Sequence, residues 1–212
     1  MDIDQMRREY LHGGLSRKNL KDDPIDQFEF WLQQAVDGQV QDPTAMSIAT
    51  VSAEGQPSQR VVLLKDCDAR GFVFYTNHGS RKAREIEGNN KVSLHFAWLE
   101  LDRQVKICGT AEKVPTTEAL KYFLSRPKGS QLAAWASEQS HPISSRGLLE
   151  QQFARMKEKF HKGDIPFPSF WGGYRVKPHR IEFWQGGAMR LHDRFQFTLQ
   201  DDKSWSVERL AP

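Results

Sequence analysis

Nowhere in its 212 residues does the chain hold an apolar run approaching the ~18 residues that a membrane-crossing helix needs. Its start, Met1-Asp2-Ile3-Asp4, lacks the basic-then-apolar pattern of a secretory signal, so a cytoplasmic protein without a membrane span is expected. Cysteine is nearly as scarce. Cys67 and Cys108 are the only two, too few for a disulfide scaffold and without metal-ligand spacing, and each sits in or beside a strand-like run and reads as a buried thiol. There is no His-Glu-x-x-His and no Gly-x-Ser-x-Gly elbow, and the seven histidines are scattered, which removes the usual zinc and serine hydrolases. No glycine-rich dinucleotide or phosphate-loop fingerprint occurs. Blocks of one charge are also missing: 30 Lys and Arg are interspersed with 27 Asp and Glu, for a net charge of +3, which argues against a nucleic-acid partner.

What remains is a polar-surfaced globular chain, 38% hydrophobic with a mean hydropathy of -0.65, and long enough for one full core. Residues 1–24, with Arg7, Arg8, Arg17, Lys18, Lys21 and Gly13-Gly14, read as a short helix and a mobile basic arm, and residues 25–212 as a single domain. Ile25, Phe28, Trp31, Leu32, Ala35 and Val36 recur at three and four, the mark of an amphipathic helix docked on a core. Strands are predicted over 45–51, 59–65, 71–76, 92–98 and 104–111. Their close spacing implies a mostly β protein with peripheral helices, built as a barrel or a strongly curled antiparallel sheet. Helices follow over 116–125, through Ala136, and over 145–160, the last with Leu148, Leu149, Phe153, Met156 and Phe160 on its apolar side. A closing β section runs to Arg209.

Cations gather at four places along this frame. If residues 190–195 are a strand, Arg190, His192 and Arg194 share one face; an anion would relieve their repulsion, though a solvated strand face fits the pattern too. Arg81, Lys82 and Arg84 crowd the first turn of a helix that Ser80 is placed to cap, the wrong sign for the helix dipole unless a phosphate binds there. Arg60 and Lys65 bracket a buried apolar run, which solubilising strand ends also do. Tyr122 and Arg126 lie four apart on one helical face with Ser130 just beyond a break, a spacing that simple packing shares. Together with the tryptophans, these clusters suit a large, flat, phosphorylated molecule whose reactive centre is a cofactor, and flavin mononucleotide (FMN) fits that description.

Taken in order, Arg60-Val61-Val62-Leu63-Leu64-Lys65, Phe74-Tyr75-Thr76-Asn77, Gly79-Ser80-Arg81-Lys82, Tyr122-Phe123 with Ser125-Arg126-Pro127, Gln139-Ser140, residues 168–173, Glu182-Phe183-Trp184-Gln185-Gly186 and Arg190-Leu191-His192-Asp193-Arg194 resemble the pyridoxamine/pyridoxine 5′-phosphate oxidase family. The resemblance spans nearly the whole chain and departs at Ala188 and Met189, an apolar pair where the family usually has polar or charged residues. It implies an FMN-binding split β-barrel, a homodimer with FMN at the subunit interface, and oxidation of pyridoxamine or pyridoxine 5′-phosphate by O2 to pyridoxal 5′-phosphate, with release of H2O2. By position it also implies that Arg60, Val61, Val62, Leu63, Leu64, Lys65, Tyr75, Thr76, Arg81, Lys82, Gln104, Gln139, Ser140, Trp184 and Arg194 bind FMN. Arg7, Arg8, Tyr10, Lys65, Tyr122, Arg126, Ser130, Arg190, Leu191 and His192 would bind substrate, with Arg190 and His192 as the catalytic pair. Two other readings use fewer of these residues: a different flavin split-barrel reductase, which leaves Tyr122, Arg126 and Ser130 without a purpose, and a protein that stores FMN or pyridoxal phosphate.

Overall fold

A computed structural model describes residues 2, 9, 10 and 14–212, so the expectations placed on Arg7 and Arg8 lie outside the described residues. The docked chain begins earlier than Pro24: Leu15 and Leu20 are buried in the main core, so the stretch expected as an arm is anchored from Leu15 onward. Helix α1 (Pro24–Asp37) starts where the Asp23 carboxylate accepts a hydrogen bond from the Ile25 N–H at 2.7 Å and Pro24 pre-sets the first turn. Its buried face carries Ile25, Phe28, Trp31 and Ala35, as the spacing predicts. The Phe28 ring lies 4.9 Å from both Phe72 and Phe96, and Trp31 meets Phe183 edge-on at 5.3 Å, so two side chains pin α1 across three strands.

The strands are β1 (Ala45–Val51), β2 (Pro57–Leu63), β3 (Asp66–Asp68), β4 (Gly71–Asn77), β5 (Lys91–Trp98), β6 (Arg103–Lys113), β7 (Trp171–Gln185), β8 (Asp193–Leu199) and β9 (Trp205–Leu210). Between them stand α2 (Arg81–Gly88), α3 (Thr116–Ser125), α4 (Lys128–Ala136) and α5 (Arg146–Lys159). All pair antiparallel in one sheet of order β2-β1-β5-β6-β7-β4-β3, with β8 on β7 and β9 on β8, which is the curled, mostly β architecture expected. The two ends of that order are joined through only Leu64 and Lys65. The sheet must therefore curl until its edges approach, and the Lys65 N–H donates to the Val73 carbonyl at 2.8 Å.

Strand β7 divides the barrel. One edge pairs with β6 from Tyr174 to Gln185, while the other is shared: Trp171–Val176 pair with β4 and Arg180–Gln185 with β8. Between the halves, Pro178 removes a backbone donor and the register slips at Cys108/Gly109. Gly109 is required there, because a Cβ would stand 2.3 Å from the Lys177 carbonyl oxygen.

Several expectations are corrected. Strand β2 begins and ends two residues earlier than predicted and is an edge strand, with Val61 67% and Leu63 43% exposed; only Leu64 of the run between Arg60 and Lys65 is buried. Nothing in α5 is buried, so its apolar side is half open. Asp66–Asp68 form a strand that three residues of mixed polarity did not announce. Both thiols are half-buried, not buried.

Candidate functional site

Where the end of β2, the end of β4, the start of α2, and α3 with α4 converge, they enclose a cavity of about 630 Å³. Its wall holds Val61, Val62, Leu63, Lys65, Tyr75, Thr76, Lys82, Tyr122, Arg126, Ser130 and Gln139, eleven residues that the sequence assigned to cofactor or substrate. At one end is Lys82, 7% exposed, whose Nζ donates to Gln139 Oε1 at 3.0 Å, Thr76 Oγ1 at 3.1 Å and Ser80 Oγ at 3.4 Å. Burial, with the nearby Arg60 charge second, lowers the ammonium's pKa to about 8. Ser80 makes no side-chain cap to α2. Its hydroxyl serves Lys82 instead, so the backbone donors of the first turn stay uncapped beside a cation.

The other wall is aromatic. Tyr75, Tyr122 and Trp171 stack, with Tyr75 4.1 Å from Tyr122 and 5.4 Å from Trp171, and the Arg126 guanidinium lies 4.7 Å from the Trp171 ring. Among the described residues Arg126 Nη1 is buried with no hydrogen-bond partner, and burial lowers the pKa of this guanidinium. A buried cationic donor without an acceptor fits an anionic ligand group. The cavity therefore suits a phosphate at each of two cationic points, and its donors fit FMN and a phosphorylated substrate. They line one continuous cavity.

Beside it lies an ionic hub that the sequence reading missed. Glu85 accepts hydrogen bonds from the Ser58 hydroxyl at 2.7 Å, from the Thr50 hydroxyl and from Arg81 Nε at 2.8 Å, and pairs with Arg60 at 3.5 Å. Burial alone would raise its pKa, but these donors win and hold it near 2. The Arg81 to Glu85 step of four on α2 was the available signal; Thr50 and Ser58 come from strands 27 or more residues away and left none.

The remaining predicted residues lie elsewhere. Arg190 and His192 are not on a strand: Ala188–Arg190 form a helical turn with positive φ at Met189 (53°) and Arg190 (64°), and only Arg194 lies in β8. Gly187 forces the turn, because a Cβ there would meet the Leu191 carbonyl oxygen at 2.2 Å. The alternation that put Arg190, His192 and Arg194 on one face does not exist. The Gly187 N–H donates to His192 Nδ1 at 3.1 Å, so the neutral ring carries its hydrogen on Nε2, and Tyr10 and Trp184 pack on that ring at 5.1 and 4.6 Å. The Arg190 guanidinium lies 5.6 Å from the Tyr10 ring. Leu191 and His192 line a second cavity of about 320 Å³ with the C-terminal residues, and Tyr10, Gln104 and Trp184 a third of about 340 Å³. Arg194 is held by Glu182 at 3.1 Å, Gln104 meets His95 at 3.0 Å, and Ser140 sits exposed in a turn next to Gln139.

Fold and cavity define an antiparallel split-barrel protein with a cation-lined pocket. Residues 32–160 match the family model described as pyridoxamine 5′-phosphate oxidase, and residues 171–212 match the pyridoxine 5′-phosphate oxidase C-terminal dimerisation region. Over 212 residues, the full length of each chain, it is 61% identical to the pyridoxine/pyridoxamine 5′-phosphate oxidases of Vibrio cholerae serotype O1 and of Pseudoalteromonas translucida. Among solved structures it superposes on PhzG from Burkholderia lata, in complex with tetrahydrophenazine-1-carboxylic acid, with a TM-score of 0.88 and 30% identity, covering 95% of this chain and 99% of that one. A pyridoxamine 5′-phosphate oxidase-related, FMN binding protein from Nostoc punctiforme shares the fold, with a TM-score of 0.72 at 14% identity over 91% of this chain and 100% of that one. The chain belongs to the pyridoxamine 5′-phosphate oxidase family. No helix among the described residues is long and apolar enough to cross a membrane.

Proposed function

We propose that this chain is an FMN-dependent oxidase, acting as a homodimer in the cytoplasm, that converts pyridoxamine or pyridoxine 5′-phosphate to pyridoxal 5′-phosphate. The alcohol reaction consumes O2 and yields H2O2; the amine reaction also consumes water and releases ammonia. FMN, when bound, supplies the two-electron acceptor. Lys82, Arg60 and Arg81 hold its phosphate through charge-assisted hydrogen bonds, Thr76, Gln139 and Ser140 line its path, and Lys65 serves both ligands. Tyr122, Arg126 and Ser130 hold the substrate phosphate, and the Tyr75–Tyr122–Trp171 stack fixes the Arg126 fork against it.

Arg190 and His192 complete the site from the partner subunit, with FMN at the interface together with Gln104, Trp184 and Arg194. Arg190 stabilises negative charge on the ring oxygen of the substrate, and His192 offers Nε2–H, its Nδ1 being taken by Gly187. Tyr10, packed on His192, stands over the substrate ring. A single domain carries all of this. The observation that carries the reading is the unpartnered, buried Arg126 Nη1 in the same cavity as Lys82. Purified protein supplied with FMN should release peroxide on addition of pyridoxine 5′-phosphate. Peroxide formation at the same rate with unphosphorylated pyridoxine would refute the phosphate assignment.

A further inference from the structure

Among the described residues Glu85 is the acid that pairs with both Arg60 and Arg81, and it is nearly closed to solvent at 8% exposure. An exposed ion pair holds a side chain loosely and contributes little. Here the geometry is more constrained. Arg81 is gripped end-on through Nε, at 2.8 Å, which leaves all four Nη hydrogens of a half-exposed guanidinium for a ligand. Arg60 is gripped through a relay: Nη1 donates to the Thr50 hydroxyl and Nη2 to the Ser58 hydroxyl at 2.6 Å, and both hydroxyls donate onward to Glu85 Oε2. Because each hydroxyl spends its hydrogen on the carboxylate, its lone pairs must face Arg60. The relay has one direction: Nη1 spends its second hydrogen on the Ile48 carbonyl at 3.5 Å, and one hydrogen on Nη2 remains unspent.

We infer that Glu85 is a positioning residue, whose carboxylate aims the Arg60 and Arg81 guanidiniums at the phosphate of the bound flavin. The inference rests on the FMN reading above. Glutamine at position 85 matches glutamate in size but carries no charge and only one acceptor oxygen, so either Arg81 Nε or the Thr50 and Ser58 hydroxyls lose their acceptor, and the hold on a guanidinium weakens while the fold keeps its volume.

Binding of FMN and of riboflavin, the same ring system without the phosphate, to flavin-free full-length protein tests this through quenching of flavin fluorescence. For E85Q the FMN dissociation constant should rise about tenfold, the loss expected when a charge-assisted contact is misaimed, with the riboflavin constant unchanged within about twofold. Equal weakening of both flavins would make Glu85 merely structural and overturn the inference, as would FMN binding that is unchanged or tighter. Should E85Q fail to fold, S58A, which breaks one arm of the relay at a half-exposed site, should weaken FMN several-fold and spare riboflavin, and equal effects on both would again overturn the inference. Wild-type protein that binds FMN no more tightly than riboflavin would refute the phosphate site itself, a failure visible before any variant is compared.

Discussion

Lys82 and Arg126, with Lys65, carry the charge of the cavity, and pH acts on the first two differently. The guanidinium stays charged at any working pH, whereas the lysine, held near 8, does not. Two opposite pH trends follow. A phosphate favours charged Lys82, so FMN affinity should be full below pH 8 and fall by up to about tenfold per pH unit above it. Stability of the flavin-free fold should run the other way. The folded pKa lies below the unfolded value of 10.5, so between pH 8 and 10.5 the unfolded chain binds the extra proton and the Lys82 contribution to stability rises with pH. FMN titrations at pH 7 and 9, with K82M as a flat control, read the first trend, and melts of flavin-free protein read the second. For Arg126, replacement by Lys keeps the charge but loses the planar fork on Trp171, and kcat/KM for pyridoxine 5′-phosphate should drop about 10- to 100-fold with FMN affinity little changed. The sequence displayed Tyr122, Arg126 and Ser130 because helical spacing brings close residues together. It hid Trp171, which reaches the same wall from 45 residues downstream of Arg126, where no periodicity links the two.

At the scale of elements, the closed side of the barrel was legible and its irregular joints were not. Alternation announced β1, β4, β5 and β6 within a residue or two, and the three-and-four spacing announced α1, because one-sided burial writes a period into sequence. Phe28 is the deepest consequence of that period, and Phe28→Ala should cost about 3–5 kcal/mol, measured by denaturant unfolding, without altering which flavin binds. Residues 190–194 misled because an apolar-polar alternation can also arise in a turn. The adjacent Gly186-Gly187 pair was the better signal, since only glycine tolerates the approach of the Leu191 carbonyl. Gly109 is the corresponding joint in β6, and Gly109→Val should destabilise the barrel by driving a side chain into the Lys177 backbone where β7 passes from one partner to the other.

At the scale of the molecule, one chain leaves its parts separated. The cations Lys82 and Arg126 line the large cavity, while His192 and Trp184 line two others with Tyr10, Gln104 and the C-terminal residues. The edge strand β2 presents Val61 and Leu63 to solvent beside that large cavity, an unusual exposure for strand residues unless a second surface covers them. The match of residues 171–212 to a dimerisation region puts β7, β8 and β9, and with them Trp184, Arg190 and His192, in the part of the chain that meets the partner. This division makes a prediction that no single variant can make. R126A and R190A chains should each form inactive homodimers. When the two are unfolded and refolded together, random pairing makes half the dimers mixed, and each mixed dimer has one site with both lesions and one with none, so about a quarter of wild-type activity should return. A site built within one chain would carry a lesion in both halves of every mixed dimer, and the refolded mixture would stay as inactive as its parents.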